Sequence, residues 1–464
     1  MQHIRVDGTR LVDGDGATVL LRGVGLGGWM TMENFITGYP GTESQMRRAV
    51  RRVLGPEAYE AFFETFLAEF FADADAAHLA SLGMNAVRIP FSYGHLEDDD
   101  APFEVKEAGF RHLDRVVRTL ADHGIYSILD LHAAPGRQNQ HWHSDNPTHF
   151  AELWNHRHFQ DRVVHLWEAI ADRYRDDPWV AGYNPLNEPS DVTGEKIGPF
   201  YARLERAIRA VDPHHVLFLD GNRYSTDFSM FLDPARGIGP FENTVWTAHD
   251  YALPGIAAVS RYPGETRGQH HDRGTVEQTF LRRTEVMRET GTPIWVGEFG
   301  PIYTGDAERV DGAYRLLADQ LEIYREHGAS WSLWTYKDVG SQGLVTVDPA
   351  SPYLQRIAPA LEKKNRLGTD SWGGNDAHTR DVLDPIEALF AREFPDFDPY
   401  PWGARQWVNV LVRHILLAEP LVDEYARCFQ GLTVDGAAEL ARSFAFDRCI
   451  ERERLSGVLR EHLR

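Results

Sequence analysis

The stretch VAGYNPLNEPS, residues 180–190, begins like a buried strand and ends like a chemical site. Val180 to Tyr183 form a short apolar run, and an amide and a carboxylate, Asn187 and Glu188, follow between Pro185 and Pro189. Taken alone, a turn closed by a solvated glutamate would account for it. The surrounding chain argues otherwise, because runs of the same length and texture recur on both sides. They are LLRGVGLGG (20–28), NAVRIPFSY (85–93), YSILDLHA (126–133), VLFLDGN (216–222), TVWTAHDY (244–251), PIWVGEFG (293–300) and ASWSLWTYK (329–337). Between them lie stretches with apolar residues at helical spacing, such as GFRHLDRVVRTLADHG and FQDRVVHLWEAIADRY. Eight strand-helix repeats predict an α/β fold, a (β/α)8 TIM barrel. The alternative, a doubly wound open sheet, wants a phosphate-cradling glycine loop before a capped helix. GVGLGG leads instead into WMTMENF.

The ends of the chain have a different texture. IRVDGTRLVDGDG alternates around Asp-Gly turns and predicts a short N-terminal β-hairpin. From about residue 346 no further strand-helix unit appears. The expected organisation is a barrel with its hairpin over 1–345 and a helical C-terminal extension over 346–464. Within that extension Asp384-Pro385 and Pro420 are expected to open helices. The phenylalanine-rich segment with Phe62, Phe63, Phe66, Phe70 and Phe71 predicts a helix laying an aromatic face on the barrel.

Composition narrows the function. A net charge of −21, with no long basic block, disfavours a nucleic-acid or anionic-membrane partner. No run of 18 apolar residues occurs, and MQHIRVDG carries no basic-then-apolar leader, so a cytoplasmic location is expected. Cys428 and Cys449 stand outside metal-ligand spacing and are expected as buried free thiols.

In such a barrel the chemistry sits where strands end at their C-termini. Those positions hold Arg88, His132, Asn187 with Glu188, His249 with Tyr251, Glu298 and Trp334. Glu188 and Glu298 come from the fourth and seventh strands, which face each other across eight. Two carboxyl groups about 5–5.5 Å apart suit double displacement at a glycosidic bond, one as acid/base and one as nucleophile. In that reading Arg88 keeps Glu298 ionised, while burial or a neighbouring charge keeps Glu188 protonated. Asn187 is placed for a sugar 2-hydroxyl, Tyr251 for the nucleophile's oxygen, and Trp334 as a platform for a sugar ring.

VRIP, LDLH, NEP, HDY, GEFG and the tryptophan of the eighth strand, over roughly residues 18–345, resemble glycoside hydrolase family 5, a family of retaining β-glycosidases on this barrel. The resemblance implies Glu188 as acid/base and Glu298 as nucleophile, with Arg88, His132, Asn187, His249, Tyr251 and Trp334 completing the site. LRGVGLGGWMTMENF and LDLHAAPGRQNQ are similar to the exo-acting β-1,3-glucanase branch, which implies that Glu33 helps bind the terminal sugar. Gly25 stands where that branch usually has asparagine, and the C-terminal extension is outside its pattern.

The loop PGRQNQHWHSDNPTHFAELWNHRHF (135–159) is long enough to wall a pocket. Its His141, His143, His149, His156 and His158 match no tight zinc spacing, and the glycosidase mechanism needs no metal or other cofactor. Trp142, His143 and Asp145 are the candidates for substrate contact. The expected function is an exo-acting retaining β-glycosidase, of β-glucosidase type, acting on a small oligosaccharide or an apolar glycoside. The alternatives are an endo-acting glucanase or mannanase, a transglycosylating or diglycoside-specific enzyme, an inactive carbohydrate-binding barrel and a metal-dependent hydrolase. An inactive barrel would be expected to have lost one of the site residues, and all are present.

Overall fold

The computed structural model describes residues 2–232, 241–257, 260–369, 372 and 376–463. Strands β1 (Arg5–Asp7) and β2 (Arg10–Val12) form the expected antiparallel hairpin. The eight predicted runs become β3 (Arg22–Gly25), β4 (Ala86–Ser92), β5 (Tyr126–Ala133), β6 (Val180–Asn184), β7 (Val216–Asp220), β8 (Thr244–His249), β11 (Trp295–Phe299) and β12 (Ser330–Leu333). All pair in parallel, and the order closes on itself through the contact of β12 with β3. A small hairpin, β9 (Gly264–Thr266) with β10 (Gln269–His271), interrupts the series.

Every residue of β5, β6, β7, β8 and β11 is buried. The continuous apolar runs, in place of alternation, follow from burial on both faces. The helix Phe110–Asp122 shows the outer layer's logic, with Leu113, Val116, Val117 and Leu120 buried on its inner side. At the N-terminal end of the barrel Ile4 and Leu11 of the hairpin pack with Leu21, Ala86, Phe218 and Trp295. The hairpin therefore stoppers the end opposite the expected site.

The extension departs from expectation in several places. Val345–Val347 (β14) pairs in parallel with Lys337–Asp338 (β13) and antiparallel with Cys449–Glu451 (β15). The expected boundary at 345/346 thus falls inside a strand, and the extension's helices are accompanied by one strand that periodicity had not marked. The helix expected to start at Asp384-Pro385 runs from Arg380 to Glu393, with Pro385 inside it. Arg380 pairs along its length with Asp384 and Glu387, offsetting the backbone bond that proline cannot make. Pro420 lies in the first turn of Ala418–Arg427, which follows directly on a π-helical turn, Val410–Leu416. Both cysteines are free and half-buried.

The phenylalanine-rich helix, Glu43–Glu69, meets the extension more than the barrel. Phe62 packs edge-on to Phe429 at 5.3 Å, and Phe66 to Phe444 at 4.9 Å. Beneath this contact the buried ammonium of Lys337 reaches Asp75 (2.8 Å), Phe70 O (2.7 Å) and Phe444 O (2.8 Å). One cation thereby ties the barrel, its first helical layer and the extension together. No described helix is long and apolar enough to cross a membrane.

Candidate active site

The strand ends deliver their polar groups to one place. Oxygen atoms of Glu188 and Glu298 and a nitrogen of His249 all lie within 4.8 Å of one another. They open into a cavity of about 460 Å3 that Glu33, His132, Trp334, Tyr251, Trp142 and His143 also line.

Glu298 is held as an acceptor. Arg88 Nη1 donates to its Oε1 at 2.6 Å, and the Tyr251 hydroxyl donates to its Oε2 at 2.9 Å. Arg88, fully buried, also donates to Asn187 Oδ1 at 2.6 Å and Asn184 Oδ1 at 3.0 Å, and pairs with Asp130 at 3.1 Å. A guanidinium's planar fork orients several acceptors at once in one plane. Asn187 is itself fully buried, with its amide nitrogen 3.3 Å from His132 Nε2.

Glu188 sits in a different environment. Its backbone has φ +44°, a left-handed conformation that costs a non-glycine residue about 1–3 kcal/mol. The turn is pinned on both sides: Glu188 N donates to Asp220 Oδ2 at 2.8 Å, and its carbonyl accepts from Asn139 Nδ2 at 3.0 Å. Trp167 Nε1 holds Pro185 O at 2.8 Å just upstream. Glu188 Oε1 meets His249 Nδ1 at 2.6 Å, and Oε2 meets His143 Nε2 at 3.1 Å. Burial pushes this carboxyl's pKa up, but the hydrogen bonds of His143 and then His249 outweigh it and hold it well below the usual range. This corrects the expectation that its surroundings keep Glu188 protonated. Burial lowers the His249 imidazole, but the carboxylates of Glu298, Asp220 and Glu188 outweigh it and raise its pKa, so burial alone does not decide the charge of this cluster.

His132 is shifted the other way. Burial disfavours its charged form, yet the Asp130 carboxylate 2.7 Å from Nδ1 raises its pKa to about 10. Its ring lies parallel to Trp334, centroids 5.4 Å apart, and its Nε2 is 3.4 Å from Glu33 Oε1. The Glu33 carboxyl is raised by burial, with His132 opposing. Asp220, also buried, is raised to about 6. Gly25 explains its own presence: a Cβ there would meet the Trp334 ring at 2.6 Å. The indole fills the place where a larger residue at 25 would stand.

Of the candidates from the long loop, Trp142 and His143 reach the cavity and Asp145 does not. Asp145 pairs with Arg137 at 2.9 Å and accepts from Ser44 N at 2.8 Å, so its charge is spent bracing the loop. His149 bonds Gln140 O, and exposed His156 pairs with Glu152 at 3.3 Å. His158 packs against Phe103. Among the described residues, the only group of three His, Cys, Asp or Glu side chains close enough to share an ion is Glu188, His249 and Glu298.

Several participants were not foreseen. Asp130 and Asp220 sit on strands β5 and β7, and the sequence carried their signal in LDLH and in LDGN at a strand's end. Tyr224 lies in an unusual run, Arg223, Tyr224 and Ser225, with φ of +53°, +59° and +58°. Trp372 and Trp402, which also line the cavity, come from the extension, where no motif marks them.

Comparison with known proteins bears on the family and the fold. Residues 57–340 match the family described as Cellulase (glycosyl hydrolase family 5). A protein of Phanerodontia chrysosporium named beta-xylosidase is 46% identical over 100% of this chain and 98% of its own length. A probable glucan 1,3-beta-glucosidase A of Neosartorya fischeri is 24% identical over 70% of this chain and 84% of its own. Among solved structures, an endogalactoceramidase superposes with a TM-score of 0.53 at 19% identity, covering 73% of this chain and 75% of that one, which speaks to the fold alone.

Proposed function

The chain belongs to glycoside hydrolase family 5, and from that premise we propose that it is a retaining, exo-acting β-glycosidase releasing a terminal glucosyl or xylosyl unit. The observation that carries the reading is the unlike treatment of two carboxyl groups within 4.8 Å of one another. Glu298, oriented by Arg88 and Tyr251, is the nucleophile; Glu188, bonded to two histidines, is the acid/base.

Glu298 attacks the anomeric carbon as the bond to the leaving oxygen breaks, and that oxygen takes a proton from Glu188. The proton moves onto Glu188 from His249 Nδ1 as the leaving oxygen approaches, and passes back to His249 once the second step has protonated Glu188. In the second step Glu188 accepts a proton from water, which displaces Glu298 and releases a β-sugar. The separation supports retention, since an inverting pair leaves about 6.5–9.5 Å for a water molecule. Walls of tryptophan and histidine around a 460 Å3 cavity suit one or two sugar rings better than a polymer. Glucose and xylose differ only in the exocyclic hydroxymethyl. The full-length match to a protein named beta-xylosidase favours keeping both.

A panel of 4-nitrophenyl β-glycosides tests this, with NMR of the first-formed anomer. A β-anomer from the glucoside or xyloside is expected, and Glu188→Ala should be rescued by azide as a β-glycosyl azide. An α-anomer, or cleavage only of internal bonds in long oligosaccharides, would sink the reading.

A further inference from the structure

The cavity's walls divide by origin. Glu33, His132 and Trp334, on one side, come from the ends of barrel strands or the turn after the first. On the side of Glu188 stand His143, His141 and Tyr224, and Trp402 from the C-terminal extension lies flat on Tyr224. Those two rings are stacked, with centroids 4.6 Å apart and planes 26° from parallel. Trp402 also meets His141 edge-on at 5.9 Å, yet 43% of the residue stays exposed.

Its backbone is fastened to the barrel. Arg223 Nη2 donates to Pro401 O at 2.8 Å, and Ser190 Oγ bonds the Tyr400 hydroxyl at 3.3 Å. Arg223, which holds Pro401 O, and Tyr224, which stacks on Trp402, both have left-handed backbone. An indole supported from behind, held at its backbone and open towards a cavity is arranged as a binding face.

We propose that Trp402, stacked on Tyr224, is the platform of an aglycone site that takes a flat, apolar-faced ring. The proposal rests on the glycosidase reading above, which places the glycosidic oxygen against the Glu188 carboxyl. Whatever lies beyond that oxygen then lies on the Glu188 side, over Tyr224 and Trp402. An aromatic face selects a leaving group by its planar apolar surface, so an aryl glycoside is favoured over one with a short alkyl or highly polar aglycone. In this view the leaving-group half of the site is shared between barrel loops, which bring His143 and Tyr224, and the extension, which brings Trp402.

The experiment compares two donors of the same sugar in the full-length protein: a 4-nitrophenyl β-glycoside and the β-glycosyl fluoride, whose leaving group is too small to touch Trp402. For Trp402→Ala, kcat/KM on the aryl glycoside is expected to fall about five- to tenfold, the weight of one stacked aromatic contact. On the fluoride it should be unchanged, and Trp402→Phe should recover most of the aryl activity. An equal loss on both donors would make Trp402 a structural wall and overturn the proposal, as would no loss on either. A wild type inert towards both donors would overturn the glycosidase reading itself, which is a different failure.

Discussion

The two halves of the site were built by different rules. The sugar half stands on strand ends of a closed barrel, where Arg88, His132, Glu298 and Trp334 are each fixed by hydrogen bonds or stacking to other barrel residues. The leaving-group half stands on loops and on the extension, where Trp402 is positioned by an arginine, a tyrosine and a serine from elsewhere in the chain. Chemistry that must be placed to a fraction of an ångström sits on the rigid half. Recognition that tolerates some variation sits on the other.

The largest effect should come from the rigid half. Glu298→Ala removes the attacking atom, and activity on any donor is expected to drop at least about a thousandfold with the melting temperature little changed. A steady-state assay beside a thermal melt checks this, and a variant that keeps a tenth of the activity would break the assignment.

The joint between the halves is tested by Lys337→Met. It strands Asp75 in the interior and frees two carbonyls, so a cost of about 3–5 kcal/mol is expected. Denaturant unfolding should remain a single transition if barrel and extension share a core. Two separate transitions would mean that they fold apart.

A subtler contrast concerns protons. His143→Phe removes the leading hydrogen bond that lowers the Glu188 carboxyl. That carboxyl then keeps its proton to higher pH, and the alkaline limb of kcat/KM should move up. A downward or absent shift would show that His143 does not tune the acid/base. His132 gives an effect seen in stability. Its folded pKa of about 10 exceeds the ordinary 6.5, so its contribution is complete below pH 6.5 and is lost as pH rises through 10. Between pH 7 and 10, His132→Asn should therefore lose less melting temperature than wild type.

The same division governs what could be read from sequence. Barrel strands announce themselves because burial on both faces forces continuous apolar runs, and the residue at each strand's end must then face the site. That made Arg88, Glu188, His249 and Glu298 legible, and would have made Asp130 and Asp220 legible had every strand end been read. Asp145 failed because a carboxylate in a loop advertises charge without saying which arginine will claim it. The aromatic helix failed similarly: Phe62 and Phe66 mark a buried face but not whether barrel or extension buries it. Trp402 was out of reach because its position depends on contacts with residues remote in sequence.

The left-handed run at Arg223, Tyr224 and Ser225 bears on how this protein would respond to selection. Each position prefers glycine or asparagine on backbone grounds, by about 1 kcal/mol. At Tyr224 and Ser225 the buried side chains offset that cost, so only Arg223, whose side chain is exposed, can change on backbone grounds, and there relief of strain is set against the hydrogen bond to Pro401 O. Arg223→Gly lets go of Pro401, so any variant that relieves the turn also loosens its grip on the segment carrying Trp402. Thermal robustness and the fit of the leaving group are then opposing demands on one three-residue turn.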